Sequence, residues 1–81
     1  MAFDGTCEIR RAGIDSNGLA RLDLKAENGQ FDWNWFFSHE AVSREVLATA
    51  LAAIVSGKRV GCFIDDPVVP NGRIVGIQLI K

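Results

Sequence analysis

The chain has 81 residues, of which nine are basic and ten acidic, for a formal net charge of -1; 48% are hydrophobic. These values fit one domain and exclude disorder and low complexity. The charge balance also speaks against a generally polyanion-binding surface. A chain this short buries only about 60–65% of its unfolded surface, so a disulfide, a metal or oligomerisation is expected to supplement the core.

Met1 to Gly5 shows neither a basic start nor an apolar run, so no signal peptide is read there. The expected compartment is the cytoplasm if the sequence is complete, and outside the cell if a leader has been removed. From Thr6 to Ile14, Cys7 and Ile9 alternate with Glu8 and Arg10, the period of a strand. Asp15-Ser16-Asn17-Gly18 is a turn cluster. From Leu19 to Ala26, Ala20, Leu22, Leu24 and Ala26 face one way and Arg21, Asp23 and Lys25 the other, a strand with one wet face. Asn28-Gly29 suits a two-residue type I′ hairpin. A third strand is expected over 31–37, with Phe31, Trp33, Trp35 and Phe37 on one face and Asp32, Asn34 and Phe36 on the other.

The period then changes. Ser38 is the expected N-cap, with Glu40 in the first turn, where the helix dipole favours negative charge. Val42, Val46, Leu47, Ala50, Leu51 and Ile54 recur at helical spacing, and Gly57 ends the helix. The nearly charge-free stretch from Val46 to Gly57 is too short to cross a bilayer. Two strands follow. Arg59 to Asp65 places Val60, Cys62 and Ile64 inward. Arg73 to Ile80 places Val75, Ile77 and Leu79 inward and Ile74, Gly76, Gln78 and Ile80 outward. The loop between them is stiffened by Pro67 and Pro70 and turned by Asn71-Gly72.

The expected fold is therefore mainly β with one α-helix. The order strand-strand-strand-helix-strand-strand is that of a five-stranded OB-fold-like barrel. The alternative is an open antiparallel sheet with one packed helix. The stretch Leu47-Ala48-Thr49-Ala50-Leu51-Ala52-Ala53-Ile54-Val55-Ser56-Gly57-Lys58-Arg59-Val60, continued by Asp65-Asp66 and Gly72-Arg73-Ile74-Val75-Gly76-Ile77-Gln78-Leu79, resembles small bacterial proteins similar to the B subunits of AB-type toxins. The resemblance covers the second half of the chain. It implies an OB-fold, ring-like homo-oligomers and glycan binding. No sugar-contacting residue transfers from it, because no position matches at residue level.

Catalytic candidates are few. His39 beside Glu40 has no nucleophile at a recognisable spacing, so no enzyme is expected. One histidine and two distant cysteines lack zinc spacing, and Asp65-Asp66 falls short of a calcium shell, so no metal or cofactor is expected. Cys7 and Cys62 both fall at inward positions on strands that adjoin when the barrel closes; they are either a disulfide or two buried thiols. Trp33 and Trp35 read as core or subunit interface, with Asp32, Asn34 and Phe36 as candidate ligand contacts on the opposite face. Asp15, Asn17, Asp66 and Asn71 are further candidates, in the loops that flank an OB binding face. Outward Phe63, Ile74 and Ile80 form an apolar patch expected at a homo-oligomer interface.

The expected function is a non-enzymatic binding module that assembles as a homo-oligomer and takes a glycan or a small polar ligand. One alternative is a single-stranded nucleic-acid binder with Arg10, Arg21 and Lys25 as phosphate contacts and Phe36 as a stacking platform, which the net charge disfavours. The other is a structural or protein-partner-binding subunit.

Overall fold

The computed structural model describes residues 2–66 and 68–80, so Pro67 lies outside the described residues. Five strands, β1 (Phe3–Ile14), β2 (Ala20–Ala26), β3 (Asn34–Ser38), β4 (Arg59–Ile64) and β5 (Arg73–Ile80), close into a barrel in the order β1-β2-β3-β5-β4. A 3-10 turn (Glu40–Val42) and the helix α1 (Ser43–Ser56) connect β3 to β4. The ladder closes through β1 on β4, where Cys7 pairs with Val60, and through a short parallel contact in which Phe37 pairs with Arg73 and Ser38 with Ile74. Closure excludes the open sheet with a helix across one face. It also removes free sheet edges from a small domain.

The inside is filled by the period-two residues of β2 and β4. Ala20, Leu22, Leu24 and Ala26 are buried, as are Val60, Cys62 and Ile64. Helix α1 closes one end of the barrel with Val46, Ala50 and Ala53 buried and Leu47 partly so, joined by Val42 of the preceding 3-10 turn. Leu51 and Ile54, expected on that stripe, instead face solvent beside Val55, which is 87% exposed. The buried stripe turns toward the small Ala53, because small side chains let the helix approach the strands. Gly57 ends the helix as expected, at φ 71°, with its N–H donated to the carbonyls of Ala53 and Ile54.

Three expectations about β3 and its flanks are corrected. First, Asn28-Gly29 does not make a two-residue hairpin. Only Gly29 takes positive φ (84°), and residues 27–33 all lie outside the strands. Phe31 uses that longer connection to pack against the core, edge-on to Phe3 (5.1 Å between centroids) and Phe36 (4.9 Å). Second, the faces of β3 are the reverse of those expected. Phe36 pairs with Leu22 and is fully buried, so it is no ligand contact; Trp35 pairs with Asp23 on the outside. Two indoles are bulky for the narrow interior of a five-stranded barrel, and one phenyl ring fits between Leu22 and Phe31. Third, Ser38 is the last residue of β3 and not the cap. His39 caps the 3-10 turn, its Nδ1 accepting the Ala41 N–H at 3.0 Å. The Ser43 hydroxyl instead accepts the Ala20 N–H at 2.8 Å, tying the start of α1 to β2.

Two bulges set which residues face outward. In β1 the register shifts between Ile9 and Arg11, so Arg10 and Arg11 together oppose Asp23. In β5 the register shifts again: Phe63 pairs with Gly76 but Ile64 pairs with Ile74. The extra residue, Val75, puts Ile74 and Ile77 on the same face. Ile74 is thus fully buried and is withdrawn from the expected interface patch. Leu79, expected inward, is 40% exposed at the far end of the strand. Phe63 is exposed, and Ile80 is half-buried on the same outer surface.

Cys7 and Cys62 are diagonal neighbours inside the barrel, since Cys7 pairs with Val60 and Gly5 with Cys62. Both are buried free thiols. A hydrogen bond with Cys7, reinforced by burial and by the charge Cys7 would carry, pushes the Cys62 thiol far above its ordinary range.

Candidate ligand-binding face

The outer face of β1, β2 and β3 carries a cluster built on one carboxylate. Asp23 sits on the face of β2 that alternation marks as wet, yet its side chain is only 2% exposed. Two arginines cover it. Arg10 donates Nε to Asp23 Oδ2 at 2.6 Å, and Arg11 donates Nε and Nη2 to the same oxygen at 3.0 and 2.9 Å. The β1 bulge makes this possible, because in an unbroken strand consecutive side chains point to opposite faces.

Each arginine also lies against an indole. The guanidinium carbon of Arg10 is 4.4 Å from the Trp33 ring centroid, and those of Arg11 and Arg21 are 4.8 and 4.1 Å from Trp35. Such contacts contribute about 0.5–1 kcal/mol each when exposed. Trp35 stands directly opposite Asp23 in the β2–β3 ladder, and Arg21 lies two pairs further along, on the same face. The cluster therefore alternates cation and aromatic ring across three strands. Its three guanidiniums and one carboxylate leave a local charge of about +2 on a chain whose total is -1.

The guanidiniums are not equally committed. Arg11 is held by two nitrogens and Arg10 by one, whereas Arg21 makes no ion pair with any described residue. The side chains of Arg10 and Arg11 are about half exposed, 50% and 58%. The face is thus a set of planar cations, two of them fixed from below, with donors left for a ligand. Lys25 contributes less than its position suggested, because Glu8 stands opposite it in the β1–β2 ladder.

The other residues that the sequence singled out lie elsewhere or serve the backbone. Asp15 Oδ1 accepts the N–H groups of Asn17 and Leu19, both at 2.9 Å, and so closes the β1–β2 turn, with Asn17 exposed in it. Asp32 Oδ1 accepts the Trp33 N–H at 2.8 Å, and Asn34 is half-buried at the start of β3. Asp65 Oδ1 accepts the Asp66 N–H. Asn71 turns the β4–β5 loop at φ 67° and donates its N–H to Trp35 O at 2.8 Å. A cleft of about 370 Å³ gathers Asn71, Arg73, Ser38, His39 and Glu40 at the seam between β3 and β5. Ser38 Oγ is buried there without a hydrogen-bond partner among the described residues. The Phe63 surface forms a separate shallow depression with Asp4, Gly61, Gly76 and Gln78.

Sequence reasoning placed Trp33 and Trp35 in the core or a subunit interface and passed over Arg11 and Asp23. The usable signal was Arg10-Arg11 itself. Two consecutive charges inside a strand break the alternation and mark either a bulge or a misread register. No protein family, curated protein or solved structure matches the chain, so the reading of this face rests on its own chemistry.

Proposed function

We propose that the protein is a non-enzymatic binding module of the OB-fold type whose ligand bears negative charge and sits on the outer face of β1–β2–β3. The single observation behind this is the set of three guanidiniums lying over Trp33 and Trp35, two of them held by the buried Asp23. A neutral glycan is the weaker reading, because sugars stack on open indole faces and guanidiniums already occupy ring faces here. The strand order and the helix between β3 and β4 match the fold in which the second and third strands form the binding face. The test is a tryptophan-fluorescence titration with inorganic polyphosphate. Saturable quenching is expected, weakened at least tenfold in Arg21→Glu. Equal binding of an uncharged oligosaccharide that survives Arg21→Glu would overturn the reading.

Self-assembly is a second component, favoured by a different surface. Leu51, Ile54 and Val55 project from α1 into solvent within a stretch free of charge from Val46 to Gly57. Exposed apolar side chains gathered on one helix face mark an interaction surface. Sedimentation velocity is expected to give a species larger than 8.8 kDa, and Val55→Glu to return it to the monomer. A monomer at high concentration removes this component and leaves the ligand face untouched.

A further inference from the structure

We propose that the ligand of the Arg–Trp face is single-stranded nucleic acid, with bases extending the planar stacks and phosphates taken by the guanidinium edges. This rests on the anionic-ligand reading and narrows it to one class of polymer.

Charge alone would suit any polyanion, so the rings decide between them. A guanidinium centred over an indole still has donors beyond those given to Asp23. Unstacked bases pack on aromatic rings and on arginine planes alike. The face offers two such stacks, Arg10 on Trp33 and Arg21 with Arg11 on Trp35. The two indoles are two residues apart in the chain, Trp33 just before β3 and Trp35 within it. Each therefore offers a base of one single strand a positively charged, aromatic contact. Arg21, with no ion pair to any described residue, is the guanidinium best placed to turn toward a phosphate.

Asp23 adds the second part. It fixes Arg10 and Arg11 in place before the ligand arrives, so less side-chain freedom is lost on binding. A duplex fits poorly. Its bases are already stacked inside, and this face of the closed five-stranded barrel projects no helix or ribbon into a groove. An acidic polysaccharide would use the guanidinium edges and leave their planes unused, so it differs from nucleic acid in a measurable way.

The experiment uses the full chain with four probes: single-stranded oligothymidylate of about twelve nucleotides, a duplex of the same length, heparin and inorganic polyphosphate. Tryptophan quenching and fluorescence anisotropy are read against salt. The single strand is expected to bind tightest and to quench tryptophan most. With about three phosphates engaged, log K should fall against log salt with a slope near about -2, and Arg21→Ala should reduce that slope by roughly 0.7. Trp33→Ala is expected to weaken the single strand about five- to a hundredfold while changing polyphosphate binding little. Arg21→Ala keeps the test valid should Trp33→Ala unfold, since no described ion pair depends on Arg21. Heparin, polyphosphate or duplex binding as tightly as the single strand would overturn the nucleic-acid assignment and leave the anionic-ligand reading standing. No binding by any probe would overturn both.

Discussion

Replacing Asp23 with alanine tests the organisation of the Arg–Trp face most directly. The substitution removes three charge-assisted hydrogen bonds of 2.6–3.0 Å from a carboxylate that is 2% exposed. Breaking a fully buried ion pair costs about 3–5 kcal/mol. Here the stranded arginines are half exposed and regain water, so we discount the cost to about 2 kcal/mol. In a domain of this size each kcal/mol moves Tm by about 4–8 °C, so Asp23→Ala should lower Tm by roughly 8–16 °C. Thermal unfolding followed by far-UV circular dichroism reads this, and near-UV circular dichroism reads the loosened indoles. The same variant makes the face more positive by one charge. Simple attraction therefore predicts tighter binding of a polyanion. Loss of the fixed guanidiniums predicts weaker binding, and that is the outcome we expect. A Tm within about 2 °C of the parent, or tighter polyphosphate binding, would refute the claim that Asp23 organises this surface.

Three further outcomes follow from the barrel. Phe36→Ala should cost about 3–5 kcal/mol in urea unfolding, whereas Phe63→Ala, on the outer surface, should cost about 1 kcal/mol; similar losses would show that the faces of β3 are misassigned. Cys7 and Cys62 should resist a thiol reagent in the native state and react on unfolding. Because the folded Cys62 thiol is raised, the unfolded chain sheds this proton first as pH rises. Stability should therefore be fully present below about pH 8.5 and fall by about 1.4 kcal/mol per pH unit above it, and Cys62→Ala should flatten that slope. Gly57→Ala should cost about 1–2 kcal/mol purely through its positive φ, since nothing lies within 4 Å of the added methyl; a neutral result would place the helix end elsewhere.

Much of the barrel was legible because period two survives wherever a strand is regular. The inward faces of β2 and β4 read correctly, and the inward placement of Cys7 and Cys62 located the β1–β4 closure. Legibility failed at the bulges and at β3. One inserted residue reverses the faces on one side of it relative to the other, so Ile74, which precedes Val75, lies in the core while Ile77 beyond it also faces inward. In β3 both faces are rich in aromatic residues, and hydrophobicity alone cannot rank them. The candidate site suffered most, because its parts come from three strands and depend on a bulge.

The sequence by itself determined the element order, the helix stop at Gly57 and the amphipathic strands, since these depend on local propensity and short-range periodicity. Chain length and charge balance also set real bounds, yet the total of -1 concealed a positive surface. Only the tertiary structure decided that Trp33 and Trp35 lie outside and Phe36 inside, that Arg10 and Arg11 meet on Asp23, and that Arg21 joins Arg11 over Trp35. Barrel closure fixes strand register through contacts remote in sequence, and register determines which side chains share a face.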